Sequence, residues 1–352
     1  MRGRGERLER QLAERELDRM LVTDLTNVRY LTGFTGTNGA CICGPDTRLF
    51  LTDFRYTERA ATEVEGWETV TVANDWLKGI AERLDGKIGF EDDQMSVRML
   101  EKLQGKLGEG VEMVAAGGTV ERLRRVKDGE ELAAIEEASK LADEVWRWSL
   151  ERGLAGRSER EVARAAEARI RELGADPSFP AIVAAGPDGA LPHAEPGERE
   201  IGRGELVVFD MGAQLDGYCS DGTRTFAAGE PGEEAREVYE VVLAAQLKAL
   251  EVIKAGVKGE DVDGAARRVI ADAGHGDRFG HGLGHGVGLE VHEAPRLSLR
   301  SDDVLAGGEV VTVEPGIYLP GKLGVRIEDL VVVGDEGLRN LSALPKDLQL
   351  VD

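Results

Sequence analysis

Three of the chain's five histidines fall within thirteen residues, His281-Gly-Leu-Gly-His285-Gly-Val-Gly-Leu-Glu-Val-His292-Glu293. Imidazole is the commonest protein ligand for metals and moves protons readily near neutral pH. The interleaved glycines predict a backbone that closely approaches whatever the imidazoles hold. Elsewhere in the C-terminal half, four strand-like runs each carry an acid. Leu206-Val-Val-Phe-Asp210 ends in one, and Gly217-Tyr-Cys-Ser-Asp221 reaches another across a turn at Leu215-Asp216-Gly217. Val311-Thr-Val-Glu314-Pro-Gly316 leads through Pro320-Gly-Lys-Leu-Gly324 to Val325-Arg-Ile-Glu328-Asp329. Each pair of runs reads as a hairpin that brings two carboxylates together. Buried carboxylates repel one another unless a proton or a cation lies between them. Asp210, Asp221, Glu314, Glu328 and His285 form a mainly oxygen donor set suited to two divalent ions, Mn²⁺ first, with Co²⁺ or Zn²⁺ as alternatives. Two such ions roughly 3.5–4 Å apart can hold a bridging hydroxide and polarise a carbonyl, which is hydrolytic chemistry.

The elements that must position these groups follow from hydrophobic period and punctuation. The first third alternates helix and strand signals. Residues 8–17 read as a helix, 20–23 and 28–31 as short extended pieces, and 40–43 with 48–52 as a hairpin around Gly44-Pro45-Asp46. Helices from Tyr56, over 76–84 and from Ser96 alternate with strands at 69–72, 88–90 and 111–114, which predicts a small α/β domain. Ala115-Ala-Gly-Gly118 breaks the pattern, so the boundary lies near 117–128, with domains at 1–122 and 123–352. Beyond it, Asp128-Gly-Glu-Glu131 and Ser158-Glu-Arg-Glu161 are capping-box patterns that open two helices. Strands at 181–184, 205–209 and 217–226 follow. The same order then recurs, with helices at 233–254 and 261–273 and strands at 288–292, 310–319 and 325–333. The fold class is therefore α/β (α+β), with a pseudo-twofold unit in which two antiparallel strand sets form one curved sheet backed by helices. The candidate ligands divide between its halves.

Bulk properties bound the partners. A net charge of −22 opposes binding to nucleic acid or an anionic membrane. No run approaches the roughly 18 apolar residues of a membrane-spanning helix. The charged start, Met1-Arg2-Gly3-Arg4-Gly5-Glu6-Arg7, lacks the apolar core of a signal peptide. Three cysteines, Cys41, Cys43 and Cys219, make no disulfide framework, so a cytoplasmic location is expected.

Five segments carry a resemblance. Phe209-Asp210-Met-Gly212, Ser220-Asp221-Gly-Thr-Arg224-Thr, Gly284-His285-Gly-Val-Gly288, Val313-Glu314-Pro-Gly316 and Arg326-Ile-Glu328-Asp329 resemble the ligand motifs of proline-specific metallopeptidases, Xaa-Pro aminopeptidase and Xaa-Pro dipeptidase (prolidase), of the pita-bread fold. All five ligand positions are filled, and the eleven-residue step from Asp210 to Asp221 matches. The resemblance covers residue 129 to the end, and more weakly a creatinase-like N-terminal domain through Asn27-Val-Arg-Tyr-Leu-Thr-Gly-Phe34 and Thr52-Asp-Phe-Arg-Tyr56.

The resemblance implies that Asp210 and Asp221 hold one metal, that Asp221 and Glu328 bridge, and that His285 and Glu314 complete the second. It implies Glu314 as proton shuttle, His292 as a stabiliser of the intermediate or substrate, and His281 and His193 as further pocket histidines. Arg296, Arg326 and Arg224 are candidate anion contacts, although Arg224 and Arg326 read better as partners of the metal carboxylates. The implied substrate is a peptide with proline second, and the implied assembly is a homodimer. The aminopeptidase is the leading reading and the dipeptidase the alternative, with Arg296 as its clamp for the substrate carboxylate. A non-catalytic peptide-binding protein is a distant third, because no ligand is missing.

Overall fold

The computed structural model describes residues 3–351. The chain divides into two compact units between Arg124 and Arg125. The first unit runs α1 (Arg4–Glu14), β1 (Arg19–Val22), α2 (Leu25–Thr32), β2 (Ala40–Gly44), β3 (Thr47–Thr52), α3 (Thr57–Glu63), β4 (Glu68–Thr71), α4 (Trp76–Ala81), β5 (Lys87–Phe90), α5 (Val97–Gln104) and β6 (Glu112–Ala115), and α6 (Thr119–Arg125) follows. Its sheet has the order β4-β3-β2-β1-β5-β6. Only β2 runs antiparallel to its neighbours. Leu21, Ile42, Leu51 and Ile88 pack with Ile80 and Leu103 to form its core.

One expectation in this unit is overturned. Residues 28–31, read as extended, lie inside α2. The Asp24 side chain accepts from the Asn27 N–H at the start of that helix, and Gly33, at φ 83°, closes it by donating to the Arg29 carbonyl. These caps satisfy backbone groups at both ends, and Val28, Tyr30 and Leu31 gain burial, which together outweigh the β preference of Val and Tyr.

The second unit begins with two long helices, α7 (Gly129–Leu150) and α8 (Glu159–Glu172), each opened by the reciprocal capping box expected at Asp128/Glu131 and Ser158/Glu161. Strands β7 (Asp176–Pro177), β8 (Ile182–Ala185), β9 (Leu206–Asp210), β10 (Ala213–Leu215), β11 (Tyr218–Cys219) and β12 (Thr223–Ala228) follow. A second helix pair, α9 (Glu233–Leu250) and α10 (Gly259–Asp272), precedes β13 (Gly284–Gly286), β14 (Glu293–Leu297), β15 (Val310–Val313), β16 (Gly316–Leu319), β17 (Leu323–Arg326), β18 (Asp329–Val333), β19 (Leu338–Asn340) and β20 (Leu350–Val351). The order helix, helix, strands thus occurs twice, with a core on each helix pair. Trp146, Phe209 and Phe226 anchor the first, and Tyr239, Val311 and Val331 the second.

The strands form separate ladders, notably β20-β12-β9-β8 and β14-β13-β15-β18-β19, with β16-β17 as a detached hairpin. Three expected continuous strands are interrupted, at residues 220–222, 314–315 and 327–328. The expected strand at 288–292 is a loop between β13 and β14. Its backbone turns back on itself: Gly288 N–H donates to the Glu290 carbonyl, and Glu290 N–H donates to the Glu293 carboxylate at 3.1 Å.

Just past β5, the buried Glu91 accepts from the backbone of Thr23 (2.7 Å) and Asp24 (2.9 Å) and from Asn27 Nδ2 (2.7 Å). Burial outweighs these donors and pushes its carboxyl up to about 7. The folded state then holds this proton more tightly than the unfolded chain. Stability from this group is complete below the ordinary glutamate range and is lost as pH rises through about 7. Glu91→Gln should therefore flatten the decline in thermal stability between about pH 4.5 and 7, a difference on the order of 2–3 kcal/mol. An unchanged pH profile in differential scanning calorimetry would remove Glu91 as its source.

Candidate active site

The type of turn between β10 and β11 decides where the first two acids go. Asp216 (φ 49°) and Gly217 (φ 82°) both take positive φ, the signature of a type I′ two-residue hairpin. The chain folds back on β9, and β12 pairs with it so that Thr223 lies opposite Asp210. Asp221 sits in the interruption just before β12. Glu314 lies in the break between β15 and β16 and Glu328 in the break between β17 and β18, where β15 pairs with β18 and β16 with β17. His285 is the middle residue of β13. All five predicted ligands line one cavity of about 490 Å³, as do His193, His281, His292, Arg296 and Arg326. A cavity of about 610 Å³ in the first unit gathers Asp24 with Arg98 and Lys102 and no histidine, so it offers no comparable donor set.

Asp210, Asp221 and Glu328 are buried and Glu314 is partly so. Donor atoms of Asp221, His285 and Glu328 all lie within 4.8 Å of one another. His285 Nε2 is 3.3 Å from Glu314 Oε1 and 3.6 Å from Asp221 Oδ2. His285 Nδ1 lies 3.0 Å from the Gly286 carbonyl. An N–H at Nδ1 satisfies that carbonyl and leaves the Nε2 lone pair facing the acids, an arrangement that needs a cation or a proton between them. Burial, then the mutual repulsion of the carboxylates, pushes Asp221 and Glu328 well above the usual range. Burial also raises Asp210, against the pull of Arg326. For Glu314 burial acts upward, but with a proton on His285 Nε2 the hydrogen bond and charge of that imidazole, aided by His281 and Arg326, hold it below its ordinary value. Asp210 Oδ1 is buried without a hydrogen-bond partner. An unsatisfied carboxylate oxygen, two acids pushed toward protonation and an imidazole lone pair aimed at them fit divalent cations in this donor set.

Among the groups that hold the acids from behind, sequence reasoning missed Thr223 and preferred Arg224 and Arg326 as carboxylate partners. Thr223 Oγ1 donates to Glu328 Oε2 at 2.7 Å and accepts from Arg326 Nε at 3.0 Å. Arg326 also reaches Asp210 Oδ2 (2.6 Å), Tyr318 Oη (3.0 Å) and the Pro192 carbonyl (3.2 Å). With four side-chain hydrogen bonds made inside the protein and only 4% of its surface exposed, Arg326 supports Asp210, the partner role preferred for it over an anion contact. Arg224 is likewise engaged, with Asp329 at 2.7 Å and the carbonyls of Thr223, Glu328, Leu344 and Pro345. Asp329 is further held by Lys346, Gln246 and Asn340. The signal for Thr223 was its register opposite Asp210, visible only once the hairpin was paired.

The glycines flanking His285 do different work from that expected. A Cβ on Gly284 would lie 2.0 Å from the Thr312 carbonyl oxygen, and one on Gly286 2.2 Å from that of Ala294. They admit the neighbouring strands β15 and β14, and do not make room for a ligand. The other histidines meet the cavity from its open side. His281 Nε2 lies 2.9 Å from Tyr318 Oη, and its ring packs edge-on against Phe279. The His292 ring stands 4.4 Å from that of His285. Desolvation lowers both His281 and His292 below the usual imidazole value, with His285 adding to the effect on His292. His193 is exposed at the rim. His275 lies outside the cavity lining and begins a short 3₁₀ turn.

A cluster of buried carboxylates and one imidazole in the wall of an open cavity defines a metal-dependent hydrolase. Comparison with known proteins gives its family. Residues 133–335 match the model of metallopeptidase family M24 and residues 4–126 that of the creatinase/prolidase N-terminal domain. The chain belongs to family M24 and has the two-domain, pita-bread architecture of its creatinase/prolidase branch. It is 42% identical to an uncharacterized peptidase, YqhT, of Bacillus subtilis over 97% of this chain and 98% of that one. An Xaa-Pro dipeptidase structure from Bacillus anthracis superposes with a TM-score of 0.96 at 40% identity, covering 99% of both chains. An X-Pro aminopeptidase structure from Thermotoga maritima superposes at 0.92 and 36% identity, covering 99% of this chain and all of that one.

Arg224 and Asp329 form a buried ion pair directly behind Glu328. Arg224→Met leaves Asp329 and several carbonyls short of donors and should cost about 3–5 kcal/mol. The check is the urea midpoint of the variant beside the parent chain. A loss below about 1 kcal/mol would mean that Lys346, Gln246 and Asn340 suffice without Arg224.

Proposed function

We propose that this chain is an exopeptidase that hydrolyses the bond between an N-terminal residue and a following proline. The observation that carries the reading is the buried set Asp210, Asp221, His285, Glu314 and Glu328 opening on a cavity that also exposes histidines and one arginine. These five residues would hold two divalent ions, Mn²⁺ or Co²⁺ before Zn²⁺ given the oxygen-rich donors. Bound there, the ions supply Lewis-acid polarisation of the scissile carbonyl and acidify a water so that it can attack near neutral pH.

The protein's own groups handle position and protons. Glu314 accepts a proton from the attacking water and returns it to the proline nitrogen as the bond breaks. His292, kept neutral by desolvation, can donate a single N–H to oxygen that gains charge, while the one N–H of neutral His281 is held by the Gly282 carbonyl and its Nε2 faces Tyr318 Oη. Phe179, Pro180, Ile182 and Val291 give the cavity an apolar wall for the pyrrolidine ring, with His193 at its edge. An X-Pro bond has no amide hydrogen, so a wall that positions the ring replaces the hydrogen bond other peptidases use.

Arg296 supports a dipeptide substrate. Its side chain is exposed in the cavity wall, and it makes no ion pair among the described residues. A guanidinium so placed can pair with the carboxylate of a C-terminal proline. The aminopeptidase reading keeps support from the likeness to the X-Pro aminopeptidase structure. Three free, buried cysteines fit a reducing cytoplasm. A homodimer belongs to the same reading and is checked by sedimentation.

Two measurements test this function. Hydrolysis of an Xaa-Pro dipeptide and an Xaa-Pro-Xaa tripeptide should require Mn²⁺ or Co²⁺ and stop with a chelator. Cleavage of the dipeptide alone supports the clamp, release of the first residue from the tripeptide supports the aminopeptidase, and no metal-dependent cleavage of either rejects both. Glu314→Gln, compared at equal metal content, should lower kcat by about 10²–10⁴-fold with a smaller effect on KM. Equal kcat values would exclude Glu314 as the proton carrier.

A further inference from the structure

The loop that carries His292 is tied to a segment far from it in sequence. Glu293, at the start of β14, turns its carboxylate inward, where Oε2 meets Lys127 Nζ at 3.1 Å. The two side chains are 1% and 6% exposed, for Lys127 and Glu293 respectively. A buried lysine is rare unless paired, and this one is also 3.3 Å from the Arg125 carbonyl. The same Glu293 carboxylate accepts the Glu290 N–H and packs so closely over Gly288 that a Cβ there would lie 2.6 Å from Oε2. Both turns of the 287–292 loop are therefore fixed by one side chain, itself fixed by Lys127.

The other end of β14 is tied to the same segment. Arg125 meets Asp303 Oδ1 at 2.7 Å and Glu309 Oε1 at 2.7 Å. Asp303 Oδ2 accepts the backbone N–H of Arg296 at 2.8 Å. The segment is anchored to the second unit by Lys127 N–H donating to the Gly308 carbonyl and by the Val126↔Glu309 bridge. Between these two tethers β14 departs from regular pairing. Gly286 stands opposite Glu293, whereas the adjacent His285 stands opposite Arg296. The two side-chain ties therefore flank an irregular stretch of the β13–β14 ladder.

We propose that Lys127 and Arg125 are positioning residues for the two substrate-side groups on this stretch, Lys127 for His292 through Glu293 and Arg125 for Arg296 through Asp303. The proposal rests on the reading above in which His292 and Arg296 touch substrate. Its consequence is a division of labour. Lys127 governs the transition-state step and Arg125 governs carboxylate capture.

The test uses the full chain loaded with Mn²⁺ and an Xaa-Pro dipeptide, with the C-terminal amide of the same dipeptide as control. Lys127→Met should lower kcat by about 10–100-fold with KM changed little, as expected when a reacting geometry slips by about 1 Å. Arg125→Gln should raise KM for the free dipeptide more than for its amide. Hydrogen exchange followed by mass spectrometry should show lost protection at 286–293 in Lys127→Met, a readout independent of turnover. Should that variant fail to fold, Lys127→Met combined with Glu293→Gln removes both charges together and carries the same expectation. His292→Ala and Arg296→Met are measured alongside. If those two are impaired while folded Lys127→Met and Arg125→Gln match the parent in kcat, KM and exchange, the tethers are only structural and the proposal is overturned. If His292→Ala and Arg296→Met are themselves silent, the substrate-side reading fails and the proposal falls with it.

Discussion

Like charges crowded out of water impose the constraint on which this structure depends. Asp210, Asp221 and Glu328 are buried beside the partly buried Glu314, and no arrangement of apolar neighbours could make that set favourable. The protein meets the repulsion from one side with its own cations and donors. Arg326 neutralises Asp210, Thr223 donates to Glu328, and Arg224 pairs with Asp329 next to it. The set is not fully compensated, since His285 Nε2 stands 3.3 Å from Glu314 and Asp210 Oδ1 is buried without a hydrogen-bond partner. Cations bound by it displace protons from the raised carboxyls, so metal affinity and folding stability are linked through the same groups.

The fold delivers these acids by breaking its strands. Each of the three strand interruptions falls at a candidate ligand, and backbone groups released there find partners on neighbouring segments, across the two halves for Glu328 and within one half for Glu314 and Met211. Glu328 N–H donates to the Thr223 carbonyl, Glu314 N–H to the Leu283 carbonyl, and Met211 N–H to the Gly222 carbonyl. The first and second helix–helix–strand sets are joined at the site itself, where Thr225 and Arg326 exchange hydrogen bonds through the Thr225 hydroxyl. A single Thr-Arg-Thr run on β12 therefore serves both halves, with Thr223 and Thr225 facing the second half from one side of the strand and Arg224 reaching round to Asp329.

Proline chemistry needs an apolar face next to a charged one. Phe179, Pro180, Ile182 and Val291 line the cavity with Arg296 and four histidines, so both are present in one space. The apolar residues come from the segment leading into β8, from its first residue and from the loop before β14. They are scattered in sequence and carry no motif, which is why the wall was invisible until the chain was folded.

Much of this was legible in the sequence because it is local. The capping boxes at Asp128 and Ser158, the Asp216-Gly217 turn, the helix pairs and the five candidate ligands follow from spacing, since a cap, a turn or a hairpin is decided within a few residues. Tertiary contacts decided the rest. Residues 28–31 became helix because two caps and burial outweighed β preference. The glycines about His285 proved to serve strand packing, a matter of which backbone lies alongside. Thr223 proved to stand behind Glu328 because β12 pairs with β9 and packs against the second half. Residue type and spacing determine which groups can bind a cation. Only the folded chain decides which of them are compensated, because charge burial depends on neighbours that lie as many as 116 residues away.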